Sequence, residues 1–190
     1  MGRIVMNEIR PYRESDKAIV QEICLLNAGC ADKPFEKQRY ILIMYCNYYI
    51  EQEPENCFVV TDENDSPVGY IICSENYAKY EETFNRIYIP QAKCLGARAY
   101  ADAKLDMLSH ALFKKNYPAH LHIDIFPDYQ RIGAGSRLMK TLLDHLKAKG
   151  VESIMLVVGT DNLRGRNFYR KNGFDELMVT RSGTAMGIKF

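Results

Sequence analysis

The run Gln130-Arg131-Ile132-Gly133-Ala134-Gly135 decides the reading of this chain. Before it lies an apolar, alternating stretch, Leu121-His122-Ile123-Asp124-Ile125, with the pattern of a strand. After it, Ser136 to Lys149 carries Leu138, Met139, Leu142, Leu143 and Leu146 at helical spacing, and Gly150 closes the run. A strand, a glycine-bearing turn and a helix start together make an anion site. The first N–H groups of a helix have no intrahelical partner, and the helix dipole turns its positive end toward them. Glycine lets a phosphate approach the backbone closely. The sequence therefore points to a diphosphate-binding loop.

Two common diphosphate loops do not fit. A Walker loop needs G-x-x-x-x-G-K-[ST], which is absent. A dinucleotide fingerprint needs a third glycine where Leu138 stands in Gly133-Ala134-Gly135-Ser136-Arg137-Leu138. Gln130-x-x-Gly133-x-Gly135 does match the [Q/R]-x-x-G-x-[G/A] signature of the GCN5-related N-acetyltransferases, the GNAT family. A second block strengthens the match. After the strand-like run Val151 to Val158 comes Asn162-Leu163-Arg164-Gly165-Arg166-Asn167-Phe168-Tyr169, then Arg170-Lys171-Asn172-Gly173-Phe174. It resembles the family's N-x-x-A-x-x-F-Y-x-x-x-G-F, with Gly165 in place of the usual alanine. The resemblance is specific over about residues 119–174 and weaker before them. Phrases such as Glu53-Pro54-Glu55 and Gly69-Tyr70-Ile71 look most like the branch containing the acetyltransferase-like domain of protein O-GlcNAcase and free-standing bacterial relatives, some of which are thought to have lost transfer activity.

The resemblance implies an α/β (α+β) GNAT fold. A mixed, mostly antiparallel sheet of six to seven strands is flanked by helices, with the strands near 120–125 and 153–158 parallel and splayed. It implies acetyl-CoA as cosubstrate, held by Ile125, Gln130, Arg131, Ile132, Gly133, Ala134, Gly135, Ser136, Asn162 and Tyr169. Tyr169 aligns with the tyrosine that protonates the departing thiolate, and Asn162 with an asparagine that positions the pantetheine arm. Asparagine also caps helices well, so Asn162 can serve both roles. The implied reaction is direct acetyl transfer to an amine, small or peptidic. The rival from another class is an acyl-CoA-binding or interaction module without catalysis.

Strand alternation puts His120, His122 and Asp124 on one face and Leu121, Ile123 and Ile125 on the other. His122 and Asp124 are the candidates for the general base, and Glu75 follows. Asp124 can equally be a structural carboxylate satisfied by backbone or tyrosine donors. His120-x-His122-x-Asp124 also invites a metal reading. The chain has only two further histidines, His110 and His145, too few for a binuclear site, and no metal is expected.

The rest of the chain bounds the function. With 190 residues, 47% hydrophobic and 26% charged, it reads as one domain, residues 1–190. A net charge of +1 argues against a dedicated nucleic-acid or membrane-surface binder. Six cysteines lack C-x-x-C spacing, and no apolar leader is evident, which favours reduced thiols and a cytoplasmic location. A homodimer is left open. Residues 51–85 hold nine acids against Lys79 alone, whereas the two motifs are rich in arginine and lysine. That polarity suits a polyanionic donor in the second half and a cationic amine in the first.

Local signals fill in the frame. They predict a first strand over Ile4 to Tyr12, a helix capped by Ser15 or Asp16 and running to about Asn27, and a second helical stretch from Phe35 to Glu51 carrying Tyr40, Tyr45, Tyr48 and Tyr49. A hairpin joins Cys57–Thr61 to Val68–Cys73. Residues 75–117 form a helical insertion before the fourth strand, on the acceptor side, with a helix near 97–115. A last hairpin turns at Arg181-Ser182-Gly183.

Overall fold

The structure, a computed structural model, describes residues 8–181 and 183–190. The Ile4–Asn7 part of the expected first strand and Ser182 of the last turn lie outside the described residues. Seven strands form one sheet: β1 (Ile9–Pro11), β2 (Phe58–Thr61), β3 (Pro67–Ser74), β4 (Ala119–Ile125), β5 (Ser153–Gly159), β6 (Asp175–Val179) and β7 (Gly183–Lys189). Their order is β1-β2-β3-β4-β5-β7-β6. Every neighbouring pair is antiparallel except β4 and β5. That parallel pair bonds only at Ala119↔Ile154 and His120↔Met155, and then parts. The splay expected between these strands is therefore present.

Helices cover both faces. On one lie α1 (Lys17–Asn27), α2 (Phe35–Leu42), α3 (Tyr48–Gln52), α4 (Tyr77–Cys94) and α5 (Ala97–Ala111). The chain from α2 to α3 stays helical through a π turn at Ile43–Asn47, so the stretch read as one helix is interrupted in register and not in course. The two cores follow from strand alternation. His120, His122, Asp124 and Tyr70 point toward α1–α5, whose core is rich in Tyr48, Tyr49, Tyr77, Tyr80 and Tyr88. Leu121 and Ile125 point the other way, into an aliphatic core with Leu138, Met139, Leu142 and Leu146 of α6 (Ala134–Ala148). Each fully buried leucine there contributes roughly 1.5–3 kcal/mol. The last helix, α7 (Leu163–Lys171), carries the second motif.

The insertion differs in detail from the sequence expectation. It holds two helices, not one, because α4 runs on through Pro90 to Cys94. Asp16 caps a short turn ahead of α1 and not α1 itself. Its carboxylate accepts from the Arg13 N–H at 2.8 Å and pairs with the buried Arg10 guanidinium at 2.7 Å. The cysteines Cys24, Cys30, Cys46, Cys57 and Cys73 are buried free thiols, and Cys94 is exposed. No helix among the described residues is long and apolar enough to cross a membrane.

Candidate active site

The glycine loop leaves β4 through a short 3₁₀ turn, Pro127–Tyr129, and enters α6. Two residues in it take the left-handed backbone conformation, Arg131 at φ 66° and Gly133 at φ 89°. Gly133 is the N-cap, and the first helical bond runs from the Arg137 N–H to its carbonyl. The N–H groups of Arg131 through Ser136 are given to no protein acceptor among the described residues. Six successive donors at a helix start are the chemistry an anionic diphosphate needs. A Cβ on Gly133 would meet nothing within 4 Å, so this glycine serves backbone conformation. Gly135 serves packing, since a Cβ there would lie 3.0 Å from the Phe168 ring. Gly135 thus seats α6 against α7 and brings the two motifs together.

Gln130 has a definite place. Its amide donates to the Ile125 carbonyl at 2.8 Å, and its oxygen accepts from Arg164 Nη2 at 2.6 Å. It ties the end of β4, at the splay, to the start of α7. Asn27 also donates to the Ile125 carbonyl, at 3.3 Å. Asn162 is the N-cap of α7, where its side-chain oxygen accepts from the Gly165 N–H at 2.8 Å. A Cβ on Gly165 would stand 2.8 Å from Asn162 Nδ2. Glycine in place of the family's alanine is therefore matched to this cap.

The polar face of β4 divides among distinct partners. His120 is buried within the rings of Tyr49, Tyr77, Tyr80 and His110, with neither ring nitrogen hydrogen-bonded. Burial holds it neutral by pushing its pKa well below the ordinary value. His122 Nε2 meets the Tyr49 hydroxyl at 3.0 Å, and Tyr45 packs edge-on against the same imidazole. Its pKa falls from 6.5 to about 3, chiefly through burial. Asp124 accepts from the Tyr70 hydroxyl at 2.6 Å. Burial nevertheless raises its pKa from 3.8 to about 7, the Tyr70 bond opposing only part of the effect. Tyr169 is partly buried, and its pKa is raised by burial first and then by the nearby charge of Asp124. Asp124 thus titrates near neutrality, and its charge is felt at the phenol of the second motif.

Glu75 stands apart from this group. It pairs with Lys149 and accepts from Asn56, on the edge of a separate network around the buried Glu53. The residues that sequence reasoning did not assign to the site are Tyr45, Tyr49, Tyr70 and Asn27. Tyrosine clustering over residues 40–49 was visible, but nothing in the sequence told which ring reaches which strand position.

The acetyltransferase (GNAT) family model matches residues 20–174. The chain belongs to the GNAT family. Rat protein O-GlcNAcase is 26% identical, over 89% of this chain and 20% of that protein. The crystal structure of SsHAT superposes with a TM-score of 0.86 at 27% identity, covering 96% of this chain and 97% of that one. The Thermoplasma acidophilum PaiA N-acetyltransferase in complex with coenzyme A shares the fold, with a TM-score of 0.59 at 17% identity, covering 96% of this chain and 98% of that one. The chain spans about half the length of the first curated relatives it matches. The expected family, its O-GlcNAcase-like branch at low identity, and the fold class are all borne out.

Proposed function

We propose that this chain moves an acetyl group from acetyl-CoA to a primary amine by direct transfer. The observation that carries the reading is the run of six N–H donors without a protein acceptor among the described residues at the start of α6, just past the end of β4 where it has parted from β5. The diphosphate would lie on residues 131–136, and the pantetheine would run along the gap past Ile125. Binding by that neighbour of coenzyme A in the same fold supports this placement.

The chemistry then follows from the side chains. An amine must lose its proton to attack. A carboxylate whose conjugate acid titrates near 7 is well matched to that task at neutral pH. His122 is a poorer base, since its conjugate acid titrates near 3. The amine nitrogen attacks the thioester carbon, and the C–S bond of the tetrahedral intermediate breaks. Asp124 takes the proton from nitrogen, and the Tyr169 hydroxyl gives one to the departing sulfur. The products are the N-acetyl amine and free coenzyme A thiol. Sequence position 169 keeps a phenol buried enough to stay protonated until that moment.

Two of the residues expected to hold the donor are already engaged. The Ile125 carbonyl and the Asn162 side chain both already have protein partners. Release of free thiol from acetyl-CoA across a panel of amines separates the readings. Amine-dependent release supports transfer, and binding of acetyl-CoA without release supports the module.

A further inference from the structure

The insertion contributes a carboxylate that the proposed transfer does not use. Ala103, Met107 and His110 of α5 are buried, and Asp106 lies among them on the same face. Asp106 lines a cavity of about 200 Å3 with Ser109, Val157, Met178, Thr180, Gly183 and Ala185. The cavity lies between α5 and the β5–β7–β6 half of the sheet. Counting on from the last bonded pair, His120↔Met155, Val157 stands level with His122 across the gap where β4 and β5 have parted. The Tyr45 ring packs on His122, and its hydroxyl reaches Asp106 at 3.4 Å. One wall of the cavity, at Val157, thus borders the side of β5 from which β4 has parted.

Asp106 is poorly satisfied beside the enclosed carboxylates Glu53 and Asp16. A carboxylate offers about four lone-pair sites, and Asp106 uses one, in a single long bond from Tyr45. Glu53 accepts from Tyr48, Ser74, Asn56 and the Glu75 N–H. Asp16 is paired with Arg10 and capped by Arg13. Arg98, on the same helix as Asp106, faces Asp102 instead. Burial raises the Asp106 pKa from 3.8 to about 6, with no cation opposing it. A carboxylate in that position gains most from an ammonium brought by a ligand.

We propose that this cavity receives the distal ammonium of an acceptor with two cationic nitrogens, with Asp106 as its counter-ion, while the reacting amine lies toward Asp124. The assignment rests on the acetyl-transfer reading. It makes Asp106 the specificity-determining residue and gives the insertion a function: α5 supplies the anion that separates a diamine from a monoamine. The cavity's size admits an aminoalkyl arm and no folded peptide. Ser109 adds a hydroxyl to the cavity lining, whereas the Thr180 hydroxyl is engaged by Gly183.

The test uses diaminobutane and aminobutanol, which differ only in the distal group. The native chain should bind diaminobutane at least tenfold more tightly by calorimetry, with coenzyme A present, and acetylate it with the lower KM. Asp106→Asn should raise KM for diaminobutane at least tenfold and leave kcat and aminobutanol kinetics within about threefold, removing the discrimination. Asp106→Glu should restore part of it. Equal binding of the two amines by the native chain would overturn the proposal, as would equal loss on both in Asp106→Asn. Failure of transfer itself looks different: diaminobutane would bind in an Asp106-dependent way with no acetylated product.

Discussion

Replacing Asp124 with asparagine should stabilise the protein while nearly abolishing its turnover. Asp124 lies on the tyrosine-rich side of the sheet with one hydrogen bond, from Tyr70, and its pKa rises from 3.8 to about 7. A carboxyl whose folded-state pKa exceeds its unfolded one binds more protons when folded. The contribution of Asp124 to stability is then most favourable below about pH 4 and falls as pH rises toward 7. The full displacement corresponds to a penalty of at most about 4 kcal/mol above pH 7. Relaxation and water entry will reduce this. Asparagine keeps the shape and can still accept from the Tyr70 hydroxyl, but carries no charge. Asp124→Asn should therefore gain roughly 1–4 kcal/mol over the native chain at pH 8, a difference that shrinks toward zero at pH 4. Denaturant unfolding at the two pH values, with native and variant side by side, reads this directly. The same preparations should lose on the order of 10²-fold in turnover, the usual scale for removing a general base. A variant that is less stable at pH 8 and fully active per folded molecule would refute both halves: Asp124 would then be a satisfied structural carboxylate.

Three further outcomes are expected. Tyr169→Phe should lower kcat by at least tenfold with the acetyl-CoA affinity unchanged, because the hydroxyl acts on charge that appears only as the thiolate leaves; equal kcat in a steady-state assay would reduce Tyr169 to packing. Gly165→Ala should leave stability nearly unchanged, since about 1 kcal/mol of helix propensity gained is offset by about 1 kcal/mol of capping lost as Asn162 is displaced; thermal melts showing a change well beyond 1 kcal/mol would contradict that balance. Acetyl-CoA should raise the melting temperature of the native chain, and Gly133→Ala, strained at φ 89°, should weaken that shift; a shift of full size in the variant would remove the loop from the diphosphate grip.

The second half of the fold was legible because its signals are local. Gly133, the Leu138–Leu146 stripe and the Asn162–Phe174 block each specify a turn or helix from their own residues. The strand alternation that sorts His122 from Ile123 is local too. The first half depends on contacts distant in sequence. Proline usually ends a helix, yet α4 passes through Pro90, with Tyr80, Phe84 and Tyr88 buried in the core on one side of it and Ala92 on the other. Asp106 sits in a segment with little motif content. Its place beside the splay comes from α5 packing across the sheet, which no spacing in the chain announces. Asp124 was readable as a candidate, but the sign of its effect on stability needed the Tyr70 contact and the burial around it.

The most direct test of the central claim is a single-turnover reaction with isotopically labelled acetyl-CoA and excess diaminobutane, quenched over time and analysed by mass. The account predicts that label passes to the amine at the rate thiol is released, that the protein mass never changes, and that Asp124→Asn slows both by the same factor. Labelled acetyl-CoA that binds and raises the melting temperature, but never yields acetylated product from this or any other amine, would contradict it.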